Sequence, residues 1–441
     1  MRRLTAVVSV FTVLSLIGAA QLLAADWPQW RGPNRDGHSA DTGLIKTWPE
    51  GGPKLLWTFD KAGVGYGAPA VVGDTVYING GDQAKDGEFL AALELGTGKQ
   101  KWKTPIPILQ KDPSFKAGWG GGPRSTPCVD GDRVYTLGAQ GDLACLDTKG
   151  GKIVWHKSMI KDLGGKVAAM WGFSESPMVD GDHLICMPGY QGAKGEGSIQ
   201  ALDKKTGDVK WVCKELTDEA SYCSPIITEG GGLRHYVVST SKFIAGVRPS
   251  DGKLLWKDTV GAGHGPNIPT PIIHGDLVYA TNSYGDGCSC FRLSKDGDGV
   301  KAEKIYANRK IENHHGGVIC VGDHLYFSNG NANQKSKLQF VCQDIKTGEI
   351  VWKEDKTLEP SAVSYADGSL YCYGQATGAC VKVKPSPEKF IEEARFTIPK
   401  TSEKAAAQGG VWTHPVIAAG KLFLRDQDLL FCFDLKDQPT S

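Results

Sequence analysis

Short runs of alternating apolar and polar residues, broken by glycine-rich turns, recur along almost the whole chain. Alternation at a period of two marks half-buried strands. One half of the recurring unit is a small residue, often proline, then a branched pair, a Gly-Asp turn and a second apolar run. Thr126-Pro127-Cys128-Val129-Asp130-Gly131-Asp132-Arg133-Val134-Tyr135 is one copy, and Thr270-Pro271-Ile272-Ile273-His274-Gly275-Asp276-Leu277-Val278-Tyr279 is another. Gly-Asp between apolar runs is a hairpin signal. The other half is a strand such as Leu143-Ala144-Cys145-Leu146, a Thr-Gly or Gly-Gly turn, and a strand ending in tryptophan. Each unit therefore predicts four short antiparallel strands.

Inner strands are expected to start near Pro69, Pro127, Pro177, Pro225, Pro271, Val318, Val363 and Pro415. Outer strands are expected to end at Trp57, Trp102, Trp155, Trp211, Trp256, about Tyr306, Trp352 and about Phe396. Both series have eight members, and the spacing suits propeller blades. The last unit, Cys432-Phe433-Asp434-Leu435, stops before any tryptophan, whereas Pro53-Lys54-Leu55-Leu56-Trp57 near the start is an outer strand without a unit. The fold expected is an all-β, eight-bladed propeller of four antiparallel strands per blade, closed by Leu55 pairing beside Phe433. Closure removes sheet edges that would otherwise template aggregation. Residues 1–25 read as a signal peptide, 26–52 as a leader, 53–436 as the propeller and 437–441 as a tail.

Composition narrows the partners. Without Arg2 and Arg3 the chain carries 48 basic and 49 acidic side chains, so there is no basic surplus for nucleic acid. A basic start, an uncharged stretch to Leu23 and Ala24-Ala25 predict a cleaved export signal. The mature protein is then a periplasmic or extracellular monomer without a membrane span. Twelve cysteines suggest disulfides in such a compartment. Aligning the units, however, puts Ala92, Cys145, Ala201, Gly246, Cys290, Cys342, Cys380 and Cys432 in one slot, so the five cysteines among them read as small core residues. Cys213 with Cys223 is the pair to check for a bond.

The copies Ala92–Trp102, Ala201–Trp211 and Cys342–Trp352, each with Thr-Gly before the tryptophan strand, resemble the tryptophan-docking repeat of pyrroloquinoline quinone (PQQ) type propellers. That family includes quinoprotein alcohol dehydrogenases and the outer-membrane barrel-assembly lipoprotein. The resemblance implies that Trp57, Trp102, Trp155, Trp211, Trp256 and Trp352 dock between blades. It also implies that Asp147, Asp203 and Asp344 order the adjoining turns, and that PQQ with calcium is a candidate cofactor. The adjacent cysteine pair of the dehydrogenases and the lipidated cysteine of the assembly protein are both absent here. Trp27-Pro28-Gln29-Trp30-Arg31-Gly32-Pro33 resembles the leader of exported propellers of this type, and packing on its own ring is expected for it.

The loops entering the inner strands should converge on one mouth of the channel. They carry Tyr66, Trp119, Arg124, Trp171, Glu175, Tyr222, His264, Asn267, His314, His315, Trp412 and His414. Aromatic faces would stack on a planar ring or sugar, and Arg124 would hold a carboxylate. The ligand-binding candidates are Tyr66, Trp119, Arg124, Trp171, Tyr222, Asn267, His314 and Trp412. Glu175, His264 and His315 are the candidate metal ligands, although their spacing matches no compact motif. The main reading is an exported propeller that binds a small molecule or protein at this mouth. The alternatives are an assembly platform and a quinone- or metal-dependent oxidoreductase. In the oxidoreductase, Glu175 would bind the metal and His264 or His414 would act as base.

Overall fold

The computed structural model describes residues 25–82, 87–190, 192, 197–261, 267–330, 338–404 and 409–436. Residues 1–24, which hold nearly all of the predicted export signal, lie outside these, as do His264 and the tail. No described helix is long and apolar enough to cross a membrane. The described strands form eight four-stranded antiparallel sheets. Seven sheets use four consecutive strands. The eighth is completed by the first strand, β1 (Leu55–Phe59), lying beside the last, β32 (Leu429–Asp434), with Leu55 opposite Phe433 and Trp57 opposite Cys432. The ring thus closes between the first and the last strand of the described chain.

Inner strands begin one or two residues from the expected positions, as in Cys128–Asp130, Met178–Asp180 and Ile272–His274. The small-residue slot has a direct physical cause. Ala92 pairs with Trp102, Cys145 with Trp155, Ala201 with Trp211, Cys290 with Tyr306, Cys342 with Trp352 and Cys380 with Phe396. In every blade the slot is the cross-strand neighbour of the outer aromatic, and a large side chain there would meet the ring. Gly246 is the extreme case, since a Cβ on it would collide with the Trp256 indole. All twelve cysteines are free thiols, Cys213 and Cys223 included. Cys223 lies against the Pro269 carbonyl, its Sγ 3.1 Å away.

Docking follows one pattern. Trp57, Trp102, Trp155 and Trp211 each rest on the glycine of the next blade's turn and donate the indole N–H to a carbonyl there, and Trp352 donates likewise to a turn without glycine. Trp57 lies on Gly98 and bonds Leu95 O at 2.9 Å; Trp102 lies on Gly151 and bonds Thr148 O at 3.1 Å. Trp155, Trp211 and Trp352 donate to Lys204, Pro249 and Ser386 in the same way. Tyr306 takes the role in blade five, lying on Gly348 and bonding Ile345 O. Asp147, Asp203 and Asp344 accept backbone N–H bonds within these turns, which fixes their shape. Trp256 departs from the pattern. Blade five replaces its turn by a long hairpin, Gly287–Asp296 with Gly299–Asn308, and Trp256 donates instead to His235 Nε2 of its own blade at 3.1 Å.

The leader packs on the ring by entering its axis. It starts at the face carrying the first hairpin turns, where Gly73 N–H bonds Asp26 and Ala419 N–H bonds Ala25 O. Trp27 then pairs with Val71 of the first inner strand, and Pro28 O accepts from Val129 of the second. The Trp30 N–H reaches Thr270 in blade five, and the Arg31 guanidinium reaches Val318 O in blade six. The chain turns at Arg31 and Arg35, both with positive φ, and Arg35 bonds the carbonyls of Ser176 and Pro177 in blade three. It returns to the same face at Asp41 and Leu44, which bond Gly420 and Asp367. Backbone carbonyls accept from Arg31 Nη2 and from both terminal nitrogens of Arg35, which offsets part of the cost of burying these charges.

Candidate functional site at the channel mouth

The leader leaves one end of the channel open as a cavity of about 330 Å³. In an antiparallel blade, the loop entering the first strand and the loop joining the second and third strands emerge on the same face. Both kinds contribute here. Tyr66, Trp119, Trp171, Tyr222, Tyr284 and Trp412 form the walls, with Arg124 among them. His314, His315 and His414 lie deeper, and Trp30 and Arg31 of the leader form the floor. No Asp or Glu lines the cavity among the described residues.

The wall is held from behind. Tyr66 Oη donates to Trp119 O at 2.6 Å, and the Tyr66 ring lies 4.9 Å from that of Trp412. His315 stacks on Trp412 at 4.3 Å and 28°. The Trp412 N–H bonds Gln375 at 3.1 Å, which fixes the plane of the indole. Arg124 donates to Gly120 O at 2.8 Å and to Gly122 O at 3.3 Å, and its guanidinium lies 5.9 Å from the centre of the Tyr66 ring. Gly120 has φ of 111°, and a Cβ there would strike the Tyr66 hydroxyl, so only glycine permits this approach.

The electrostatics are one-sided. Burial holds His314 down to about 4 and His414 to about 3, with Arg31 adding to the effect at His414. Burial, His314, Arg124 and His414 push His315 well below its ordinary value. All three rings are therefore neutral near pH 7. His414 donates from Nε2 to His315 O at 3.1 Å and is a weak proton acceptor at its low pKa. Burial lowers both guanidiniums, Arg31 to about 10, yet they stay charged at neutral pH. Among the described residues, the cavity is thus aromatic, cationic and free of carboxylate.

Two sequence candidates lie elsewhere. Asn267 is buried, donates to Thr240 O at 2.8 Å and accepts from Tyr222 N–H, so it holds the loop that carries Tyr222. Glu175 is 1 % exposed and sits behind the wall, accepting the Met187 N–H at 2.6 Å. No group of three His, Cys, Asp or Glu able to hold a metal occurs among the described residues. Burial raises Glu175 to about 8, with the Met187 N–H and Arg35 opposing the shift. An unfolded glutamate titrates near 4.5. Between those values the folded chain keeps a proton that the unfolded chain has released. Stability from this group is full below about pH 4.5, falls as pH rises, and is gone above about pH 8. Glu175→Gln should flatten that limb. Unfolding free energies from urea titration should match wild type at pH 4.5 and exceed it at pH 9 by about a few kcal/mol. Equal pH profiles would refute this assignment.

Sequence reasoning missed Trp30 and Arg31 as floor and Tyr284 as wall. Tyr284 follows a second strand, in Asn282-Ser283-Tyr284-Gly285, and strand polarity alone places that loop at the mouth. The leader left no such signal.

A family model described as outer membrane protein assembly factor BamB, of the PQQ type, matches residues 85–354, more than half of the chain. The chain belongs to that family. No curated protein matches it. Among solved structures, BamB from Moraxella catarrhalis aligns at 15 % identity and TM-score 0.56, over 88 % of this chain and 99 % of that one. A europium-containing methanol dehydrogenase aligns at 14 % and 0.62, over 91 % and 89 %. The quinohemoprotein alcohol dehydrogenase from Comamonas testosteroni aligns at 13 % and 0.61, over 94 % and 81 %. At such identities these likenesses show the propeller fold alone.

Proposed function

We propose that the protein is a cell-envelope binding protein that takes up a small, planar, anionic molecule at the channel mouth. One observation carries the reading: six aromatic walls and two guanidiniums surround a cavity with no carboxylate among the described residues. Rings stack on aromatic faces, and oxyanions gain charge-assisted hydrogen bonds from arginine. A cation or metal ion would meet positive charge and, among the described residues, no acidic ligand.

PQQ tests how far the family resemblance extends. Its flat ring and carboxylates suit the Trp412 wall and Arg124. Calcium does not fit the described residues, because Glu175 sits behind the wall, bonded to Met187 N–H. A calcium-assisted oxidation therefore has no support here, and simple binding is favoured. Titrating PQQ into the protein should quench tryptophan fluorescence with micromolar affinity, unchanged by EDTA. Binding only with added calcium, dye reduction with alcohols, or no binding of PQQ would each overturn the reading.

A protein ligand at the same mouth is the second reading. The description of the matched family and the half-exposed Tyr284 and Met170 favour it. A cross-link from this rim to an envelope protein would support that reading, and cross-links confined to other faces would count against it.

A further inference from the structure

We propose that Arg31, brought through the ring axis by the leader, is the deep anion subsite of the mouth and recognises a carboxylate at the inner end of the ligand. The proposal rests on the reading of the mouth as a small-molecule site and adds which group must enter first.

Arg31 is 2 % exposed and forms part of the cavity floor. Its Nη2 donates to Val318 O at 2.5 Å and to Asp36 O at 2.9 Å. Its Nε and Nη1 are buried and have no acceptor. A buried guanidinium ordinarily satisfies its donors, because each bare N–H forfeits the hydrogen bonds it made in water. Arg35, in the same leader, shows a partial contrast. Its Nε is also buried without an acceptor, but both of its terminal nitrogens are bonded, to Gln29, Ser176 and Pro177, and it does not line the cavity.

The surroundings of the guanidinium are close-packed on the side of Gly317. Gly317 lines the floor with φ of 67°, and a Cβ there would collide with Arg31 Nη1 and approach His414 Cε1 to 2.6 Å. Trp30 packs edge-on to His414 at 4.7 Å. His414 Nδ1 is likewise buried without a partner, and its Nε2 is engaged by His315 O. The charged Arg31 guanidinium, with two unmet donors, therefore lies at the base of a cavity walled by aromatic rings, beside a neutral imidazole whose free Nδ1 is an acceptor. A carboxylate is the group whose charge and acceptor oxygens match the unmet N–H groups of Arg31. The depth of the site and its choice of ligand would then be set by the leader, and the blades would supply only the walls.

The probes are PQQ and its uncharged trimethyl ester, titrated by fluorescence into the full chain. Wild type should bind the acid about 300-fold tighter than the ester, or more. Arg31→Gln should lose most of that preference while binding the ester as before, and Arg31→Lys should restore part of it. Arg31 also bonds Val318, so Arg31→Gln is checked for folding by circular dichroism. A fold-safe arm uses Arg124→Met, because Arg124 bonds only loop carbonyls. With Arg31 alone remaining, that variant should still favour the acid by about threefold or more. Loss of all preference on removing Arg124, or an unchanged preference in folded Arg31→Gln, would sink the subsite while leaving the mouth as a binding site. If wild type binds neither probe, the subsite and the reading fall together.

Discussion

Trp57→Ala should destabilise the ring by about 3–5 kcal/mol, the range for truncating a buried large aromatic. Trp57 is 8 % exposed, lies on Gly98 of the first blade and donates to Leu95 O. Its strand is joined to the last blade only through β32, since the two segments are far apart in sequence. Removing the indole therefore loosens a strand whose sheet partner is distant in sequence, whereas the same change at Trp352 leaves a strand joined to its sheet partner by a short turn. Both variants should lower the urea midpoint by a similar amount. Trp57→Ala alone should make the segment around residues 50–60 cleavable by protease under native conditions and speed amide exchange in β1 and β32. Equal protection in the two variants would argue that the leader, and not the terminal strand, holds the ring closed.

Arg124→Met should weaken PQQ binding by about 10- to 100-fold, as loss of a charge-assisted hydrogen bond implies. Thermal stability should hardly change. The guanidinium bonds only the Gly120 and Gly122 carbonyls of its own loop, and no acidic partner forms a salt bridge with it among the described residues. Added salt should weaken wild-type binding more than binding by the variant, because a screened charge contributes less. Calorimetric titration at two salt concentrations reads both effects. Unchanged affinity would move recognition away from the wall and onto the floor.

Much of the fold was legible because a propeller is repetitive. Trp102, Trp155, Trp211 and Trp352 sit at a fixed distance after Thr-Gly or Gly-Gly, and each copy makes the same bond to the next blade. The small-residue slot was visible before its cause, which is the cross-strand indole. The twelve cysteines illustrate the same logic. Export suggests disulfides, but a slot dictated by an aromatic neighbour needs small residues, and none of the thiols is paired.

The mouth was only partly legible. Strand polarity put Tyr66, Trp119, Arg124, Trp171, Tyr222, His314 and Trp412 on one face, and all line the cavity. Position in a loop does not fix side-chain direction, however. Glu175 and Asn267 precede inner strands as expected, yet buried N–H and C=O groups capture their polar atoms. Unpaired backbone groups inside a ring are costly, so a nearby polar side chain tends to satisfy them before it can face solvent.

The sequence by itself determined the blade number, the docking residues and the closure of Leu55 on Phe433. Each follows from local patterns, the strand period and turn chemistry, repeated in register. Only the tertiary structure decided the path of the leader and the depth of the cavity. Those depend on which non-repeating segment occupies the axis, where seven of the eight blades offer backbone or side-chain partners to Trp27, Pro28, Trp30, Arg31, Arg35, Ser39 and Ala25. Contacts between segments hundreds of residues apart leave no periodic trace in the chain that makes them.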